Sequence, residues 1–541
     1  MCRAARVRTK NAGTGIVWRK SPWMRSSKQS SICTAMEGET KMRVLFIYPN
    51  LNAQIGFNYG LAYISGLLKA RGIETRLLNI NDQVGYPLDL ARIRADILEW
   101  NPDLIGFSVL TNQYKYAVEI AEDIKGYSRA PVVFGGIHPT MDPEGTLAEK
   151  CVDYLCIGEG EEALLELVEK GSPKGIRNMA YRENGRIVIE PLRPFTDVTN
   201  LPFKDYLLFD FQQMIDAKDG WVGLQASRGC PFRCTYCLNH KIIALYKRHG
   251  HLPKEYLRRH TVDDTIAEIE YLLSRYERIK MFIFDDDIFT FDKEWLRDFS
   301  KRYRQVTDIG FVCNAHARVF DSETAAYLKE AGCRIVKFGL ESGSDRLRRT
   351  VLQRYMSNRD IEKAFAVADT YGLHTSAFVM VGLPDEKEDD IMETVRLLAR
   401  IRPGRFRWSL FFPFIGTRAY DIALSTGAVD LEKMRTLDNF TDETCMHLGA
   451  EEDLLVEKVK ALFCLFVNGY ADIDGEQRYA GLLKEVERAD RTAWLRDKDR
   501  FATELKALDK EMEEQGRLHY AVKYNRFMGV RSDWKDDSLS S

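Results

Sequence analysis

Long hydrophobic runs are missing from this 541-residue sequence, and so is any surplus of one charge. The longest apolar stretch, around Leu462–Val467, lies inside an amphipathic helical pattern and falls far short of the roughly 18–20 residues that span a bilayer. With 78 Lys and Arg against 80 Asp and Glu, the net charge of −2 provides no whole-chain field for nucleic acid or anionic lipid. Eleven cysteines are too few for a disulfide scaffold of this length. No internal repeat or low-complexity tract occurs. These absences exclude a membrane-spanning, collagen-like or disulfide-built protein, and leave a cytoplasmic globular chain of two to four domains as the expectation.

The cysteines that are present divide into two groups. Cys151, Cys156, Cys313, Cys333 and Cys464 fall singly in apolar stretches, where a small buried thiol is the ordinary reading. The exception is "SRGCPFRCTYCLNH" (Ser227–His240), which sets Cys230, Cys234 and Cys237 within eight residues.

Around that segment the pattern is α/β. Residues 1–41 are basic, Ser-rich and aperiodic. They are expected to be a disordered or mis-assigned extension rather than a targeting segment, because Met42 directly precedes the strand "RVLFIYP". From 42 to 190, five β-branched runs alternate with helical patterns, predicting a Rossmann-like, doubly wound parallel sheet. Ligands of such sheets bind beyond the strand C-termini, so "SVLTN", "GGIHPT" and "GEGEE" are read as non-helical, ligand-facing turns. Residues 191–220 read as a Pro-rich linker. From 221 to 427, six more βα-type units predict a partial (β/α)6 barrel, whose chemistry belongs at the strand C-termini. Residues 428–541 read as a helical cap.

Three thiols at this spacing leave two metal readings open. His240 makes a fourth ligand for tetrahedral zinc, or three thiolates hold a 4Fe–4S cube with one iron open. A Cys-x3-Cys-x2-Cys loop directly after the first barrel strand resembles the hallmark of the radical S-adenosylmethionine (SAM) superfamily. The resemblance implies that Cys230, Cys234 and Cys237 ligate a 4Fe–4S cluster, that SAM chelates the open iron, and that reduction yields a 5′-deoxyadenosyl radical. It also implies SAM contacts for Tyr236 before the last cysteine, for Asp285 and Asp286 of "FIFDDD", for Arg318, and for Glu341 and Ser342 of "GLESGSD". The plainer readings are a solvated acidic turn for the aspartates and a surface ion pair for Arg318. "VMVGLPDE" and "FFPFIGT" match recurrent segments of the superfamily that close the barrel.

"GGIHPT…PE…VDYLCIGEGEE" is similar to the cobalamin-binding subfamily, and the resemblance covers about residues 43–425. It implies cobalamin contacts from Ser108, Thr111, Gly135, Gly136, Gly158 and Glu159. The Asp-x-His-x-x-Gly signature of domains that ligate cobalt from below is absent; the first loop reads "PNLNAQIGFNYG". His138 is read as a loop hydrogen-bonding residue. The implied activity is methyl transfer to an unactivated carbon of a small-molecule or lipid substrate, with an electron donor such as flavodoxin or ferredoxin and no nucleic acid. The alternatives are radical cyclisation, oxidation or C–C coupling without methyl transfer, and, in another class, an iron–sulfur electron carrier.

Overall fold

The computed structural model describes residues 41–53, 55–437, 441–471 and 477–534. Apart from Lys41, the expected N-terminal extension lies outside the described residues.

The first sheet is built from β1 (Arg43–Pro49), β2 (Glu74–Ile80), β3 (Leu104–Ser108), β4 (Val132–Gly135), β5 (Tyr154–Cys156), β6 (Met179–Glu183) and β7 (Arg186–Ile189). Its order is β2-β1-β3-β4-β5-β6-β7, with β1 to β5 parallel. The strands are apolar on both faces because helices cover both. The chain leaves β1 for β2 on one side and returns to β3 on the other, which opens a crevice at the β1/β3 switch point. Five strands were expected. β6 and β7 are an antiparallel addition, turned by Asn184 and Gly185 at φ +51° and +76°. Asn-Gly between alternating apolar residues is a strong hairpin signal that the five-strand reading passed over.

The second sheet begins with β8 (Trp221–Leu224). The cysteine loop follows, flanked by a two-residue ladder of β9 (Ser227–Arg228) and β10 (Arg258–Arg259). Then come β11 (Met281–Phe284), β12 (Gly310–Ala315), β13 (Cys333–Glu341), β14 (His374–Val381) and β15 (Arg405–Leu410), all parallel. The sheet order is β8-β11-β12-β13-β14-β15, so each unit is added beside the last. Two further antiparallel strands, β16 (Tyr520–Val522) and β17 (Met528–Arg531), extend it past β15. The C-terminal region is therefore more than a helical cap. Helices Ala450–Ala471, Ala480–Arg488 and Arg491–Glu514 precede a hairpin that completes the barrel sheet. Val530 and Trp534 join Met281, Val312 and Ile335 in an apolar plug.

Residues 191–220 are an ordered connection. They carry helix Phe211–Ala217, and the Tyr206 ring stacks on Phe57 with centroids 4.9 Å apart. Buried Lys204 donates to both oxygens of Glu268 at 2.6 and 2.8 Å, an ion pair that ties this segment to helix Val262–Arg275, which precedes β11. No helix among the described residues is long and apolar enough to cross a membrane.

Candidate functional site

The cysteine loop is fixed at both ends. At its start, fully buried Asp286 accepts from the Ala226 amide at 3.1 Å and from the Ser227 hydroxyl. Both carboxylate oxygens are used, so Asp286 lies beneath the loop with no face open to a ligand. Asp285 and Asp287, its neighbours in the triplet, are exposed instead. Farther along, the Thr235 hydroxyl donates to Val351 O at 2.6 Å, the Thr235 amide donates to Leu352 O at 2.9 Å, and Ala419 donates to Thr235 O at 3.0 Å. The loop is thereby pinned to segments that follow β13 and β15.

Cys234 is buried, and Cys230 and Cys237 are partly so. Burial above all, with the nearby Asp287 charge adding to it, pushes the Cys230 and Cys237 thiols up to about 12. Asp287, absent from the implied SAM contacts, is thus the carboxylate of the triplet that faces the cysteines. His240 does not complete a zinc site. Its Nδ1 donates to Cys237 O, and its Nε2 accepts from the Arg418 amide at 3.3 Å, so both ring nitrogens are held by backbone. Among the described residues, no group of three His, Cys, Asp or Glu is arranged to hold a metal ion. The metal reading therefore rests on the donor set: three thiols in one loop, with every other described cysteine on a different element.

Above the loop lies a polar triad in which Arg354 is buried and Tyr236 and Glu341 are partly buried. The Tyr236 hydroxyl donates to Glu341 Oε1 at 3.0 Å. Arg354 places Nη1 3.3 Å from that hydroxyl and 3.4 Å from Cys234 Sγ, while Nε and Nη2 donate to Gly339 O at 3.0 and 2.7 Å. Burial raises the Glu341 carboxyl, against the opposing pull of Arg354. Glu341 adopts φ +66° where the β13/β14 register shifts, a left-handed conformation costing about 1–3 kcal/mol in a non-glycine residue. Such strain persists only where surrounding contacts over-determine it, and here Tyr236 and Arg354 do so. Arg354, in the plain-looking "VLQRY", carried no sequence signal; only the fold brings it onto a cysteine.

Other expected SAM contacts lie elsewhere. Ser342 is fully buried in the turn after β13, where its hydroxyl accepts from the Ser344 amide at 3.1 Å. Arg318 is exposed and donates to Tyr355 O at 3.2 Å. Asp285 accepts at 2.8 Å from the hydroxyl of Tyr59, which comes from the first sheet's helix Tyr59–Ala70. Gly223 makes room for this contact. A Cβ there would lie 2.6 Å from the Tyr59 hydroxyl and 2.9 Å from Asp285 Oδ2.

Beyond β14, Glu386 of "VGLPDE" accepts from the Gly382 and Leu383 amides at 2.6 and 3.0 Å, closing the turn. Its other oxygen is buried without a partner, and burial pushes the carboxyl up to about 8. The folded chain keeps this proton while the unfolded chain releases it near 4.5, so Glu386 erodes stability as pH rises from about 4.5 to 8. In thermal melts across that window, the Glu386→Gln difference from wild type should shift in the variant's favour with rising pH. A pH-independent difference would contradict the assignment.

At the C-terminal ends of β1, β3, β4 and β5 sits a cavity of about 220 Å3. Ser108, Gly135, Gly136, Gly158 and Glu159 line it; Thr111, in the following 3-10 turn, does not. Asn58 Nδ2 donates to the Ser108 hydroxyl at 2.9 Å. All three expected turns run into helix, a 3-10 helix from Thr111 in "SVLTN" and α-helices from Ile137 in "GGIHPT" and Glu161 in "GEGEE". His138 is buried against the Tyr114 ring, centroids 4.0 Å apart, and burial lowers its imidazole to about 4. Arg228 enters the cavity wall from the second sheet, two residues before Cys230. It donates to Glu161 Oε1 at 2.7 Å and Glu159 Oε1 at 3.3 Å, and Glu159 also takes Arg258 at 2.7 Å. One arginine thus links the cavity loop of the first sheet to the cysteine loop of the second.

A B12-binding domain model matches residues 53–168, and a Radical SAM superfamily model matches residues 224–398. The chain thus carries a B12-binding domain followed by a radical SAM domain. It is 29% identical over 415 residues to an uncharacterized methyltransferase of Pyrococcus horikoshii, covering 73% of this chain and 87% of that one. It is 26% identical over 447 residues to the anaerobic magnesium-protoporphyrin IX monomethyl ester cyclase of Rubrivivax gelatinosus, covering 78% and 77%. The fold is similar to that of OxsB, a cobalamin-dependent SAM radical enzyme, with a TM-score of 0.64, 16% identity and 83% and 71% of the chains covered. It is also similar to the radical SAM methyltransferase TsrM of Kitasatospora setae, with a TM-score of 0.58, 20% identity and 72% and 79% covered.

The radical SAM domain implies a 4Fe–4S cluster and SAM, and the B12-binding domain implies cobalamin. The residues present fit this set: a three-thiol loop one ligand short of a cube, and a glycine-walled cavity at the switch point. Gly158 tests the second part. It sits at φ +78°, and a Cβ would strike the Tyr246 hydroxyl. Gly158→Ala should lower stability by about 1–3 kcal/mol and reduce the corrinoid retained after gel filtration, read by visible absorbance. Unchanged retention would remove Gly158 from the cavity's working wall.

Proposed function

We propose that the protein is a cobalamin-dependent radical SAM methyltransferase that places a methyl group on an unactivated carbon of a small-molecule or lipid substrate. The observation that carries this reading is the Arg228 junction: the cavity at the switch point and the loop bearing the three cysteines share one wall. The cluster, SAM and cobalamin, when bound, together supply a hydrogen-abstracting radical and a methyl donor.

In this reading Cys230, Cys234 and Cys237 hold the cluster, and Tyr236, Glu341 and Asp287 face SAM. Ser108, Gly135, Gly136, Gly158 and Glu159 face the cobalamin. Arg354 places a fixed positive charge 3.4 Å from Cys234 Sγ, beside the loop that holds the cluster. The partly buried Tyr236–Glu341–Arg354 contacts keep the mouth ordered. The protein's share is positioning, since the hard chemistry belongs to the cofactors.

The likeness to a cyclase supports a second reading, radical cyclisation without methyl transfer. Product mass separates the two. Anaerobic turnover with SAM, cobalamin and reductant should yield 5′-deoxyadenosine together with a product heavier by one CH2. A product lighter by hydrogens, with 5′-deoxyadenosine still formed, would support the cyclase reading and contradict methyl transfer.

A further inference from the structure

Alternation along the barrel strands sorts side chains between lumen and helices. On β13, Ile335, Lys337, Gly339 and Glu341 share one face. Ile335 belongs to the apolar plug and Glu341 meets Tyr236, so this face is the lumen. Across the sheet, Lys337 is in register with Ser376 and Ser376 with Arg405. One step up, Arg407 lies between Phe378 and Met528, and Met528 packs on the plug.

Arg405 is occupied: its Nε donates to Ser376 Oγ at 3.1 Å, and the guanidinium lies 5.3 Å over the Trp534 ring. Lys337 and Arg407 are not. Both are partly buried, and neither has a hydrogen-bond or ion-pair partner for its side chain among the described residues. The groups that act on the Lys337 ammonium are Asp285, Arg405, Cys313 and Lys218. Asp285 is the one carboxylate among them, and it already takes the Tyr59 hydroxyl. Burial above all lowers Lys337 to about 8, and desolvation lowers Arg407 as well. Half-buried cations with no ion-pair partner of their own cost free energy that a fold offsets when a ligand supplies the anion.

We propose that Lys337 and Arg407 bind an anionic group of the substrate, a carboxylate or a phosphate, and so direct the remainder of the molecule up the lumen toward Glu341 and the cysteine loop. The guanidinium offers a planar fork to two oxygens, and the ammonium a point charge from a strand two away. The inference rests on the radical SAM reading of the barrel lumen as the substrate chamber.

The test uses the full chain and trace acetylation at pH 8, with Lys337 read by mass spectrometry. Inorganic phosphate is one arm, butyrate the other, and sodium chloride at matched ionic strength is the reference. At ten times its dissociation constant, the matching anion should slow Lys337 acetylation about tenfold by mass action. Protection by phosphate assigns a phosphate group, and protection by butyrate a carboxylate. In Arg407→Gln the protection should disappear, and in Arg407→Lys it should largely return. Equal rates in both arms and in chloride would overturn the inference, as would full protection in Arg407→Gln. The wild-type comparison decides alone if a variant fails to fold. 5′-Deoxyadenosine release is assayed on the same protein. Release without Lys337 protection overturns only the anion site, whereas protection without release overturns the radical SAM function and leaves an anion site standing.

Discussion

In the Cys234→Ala variant, 5′-deoxyadenosine formation should fall to background while the chain remains folded. Cys234 is the most buried of the three loop thiols and the one that meets Arg354. Removing its sulfur leaves two ligands for a cube that needs three, so cluster absorbance after anaerobic reconstitution should be lost with the activity. The structural cost is small. The loop is held by the Thr235, Asp286 and Ala419 bonds rather than by the thiol, and a methylene-sized void costs about 1 kcal/mol. A variant that keeps both cluster and SAM cleavage would remove Cys234 from the site. The same substitution at Cys313, buried 3.9 Å from Cys333, should leave the cluster intact.

Arg228→Met is expected to have the largest effect on stability. Glu161 is buried, and Arg228 is its one ion-pair partner among the described residues. Glu159, by contrast, keeps Arg258 and the Thr196 amide. Stranding a buried carboxylate costs about 3–5 kcal/mol. Its place in the first turn of helix Glu161–Lys170 offsets part of this through the helix dipole. Thermal melts should show the loss, and Arg228→Met combined with Glu161→Gln should recover most of it, because the charge left behind is gone. Corrinoid retention should fall in the single variant, since Arg228 forms part of the cavity wall. Equal stability of single variant and wild type would mean that the junction contributes nothing to joining the sheets.

The same residues show what sequence could and could not reveal. Strand alternation and the cysteine spacing are local patterns, so both α/β regions and the three-thiol loop could be read directly. The Asp285–Asp287 triplet marked the right strand end. Which carboxylate turns down, which meets Tyr59 and which acts on the cysteines depends on how the elements approach in space, and no local pattern encodes that. Arg354 and Arg228 act across long sequence distances, on Gly339 and Cys234 in one case and on Glu159 and Glu161 in the other. "RIVKFGL" and "FRWSLFF" look like ordinary core strands. That Lys337 and Arg407 share the lumen emerges only once register is known. The β16/β17 hairpin was missed because its strands are short and pair with β15 across more than a hundred residues.

Spectroscopy of the anaerobically reconstituted, dithionite-reduced protein tests the central claim most directly. A 4Fe–4S paramagnetic signal that changes when SAM is added is the expected result, as SAM would occupy the iron that the three cysteines leave open. Mononuclear zinc, or an iron–sulfur signal that SAM does not alter, would contradict it.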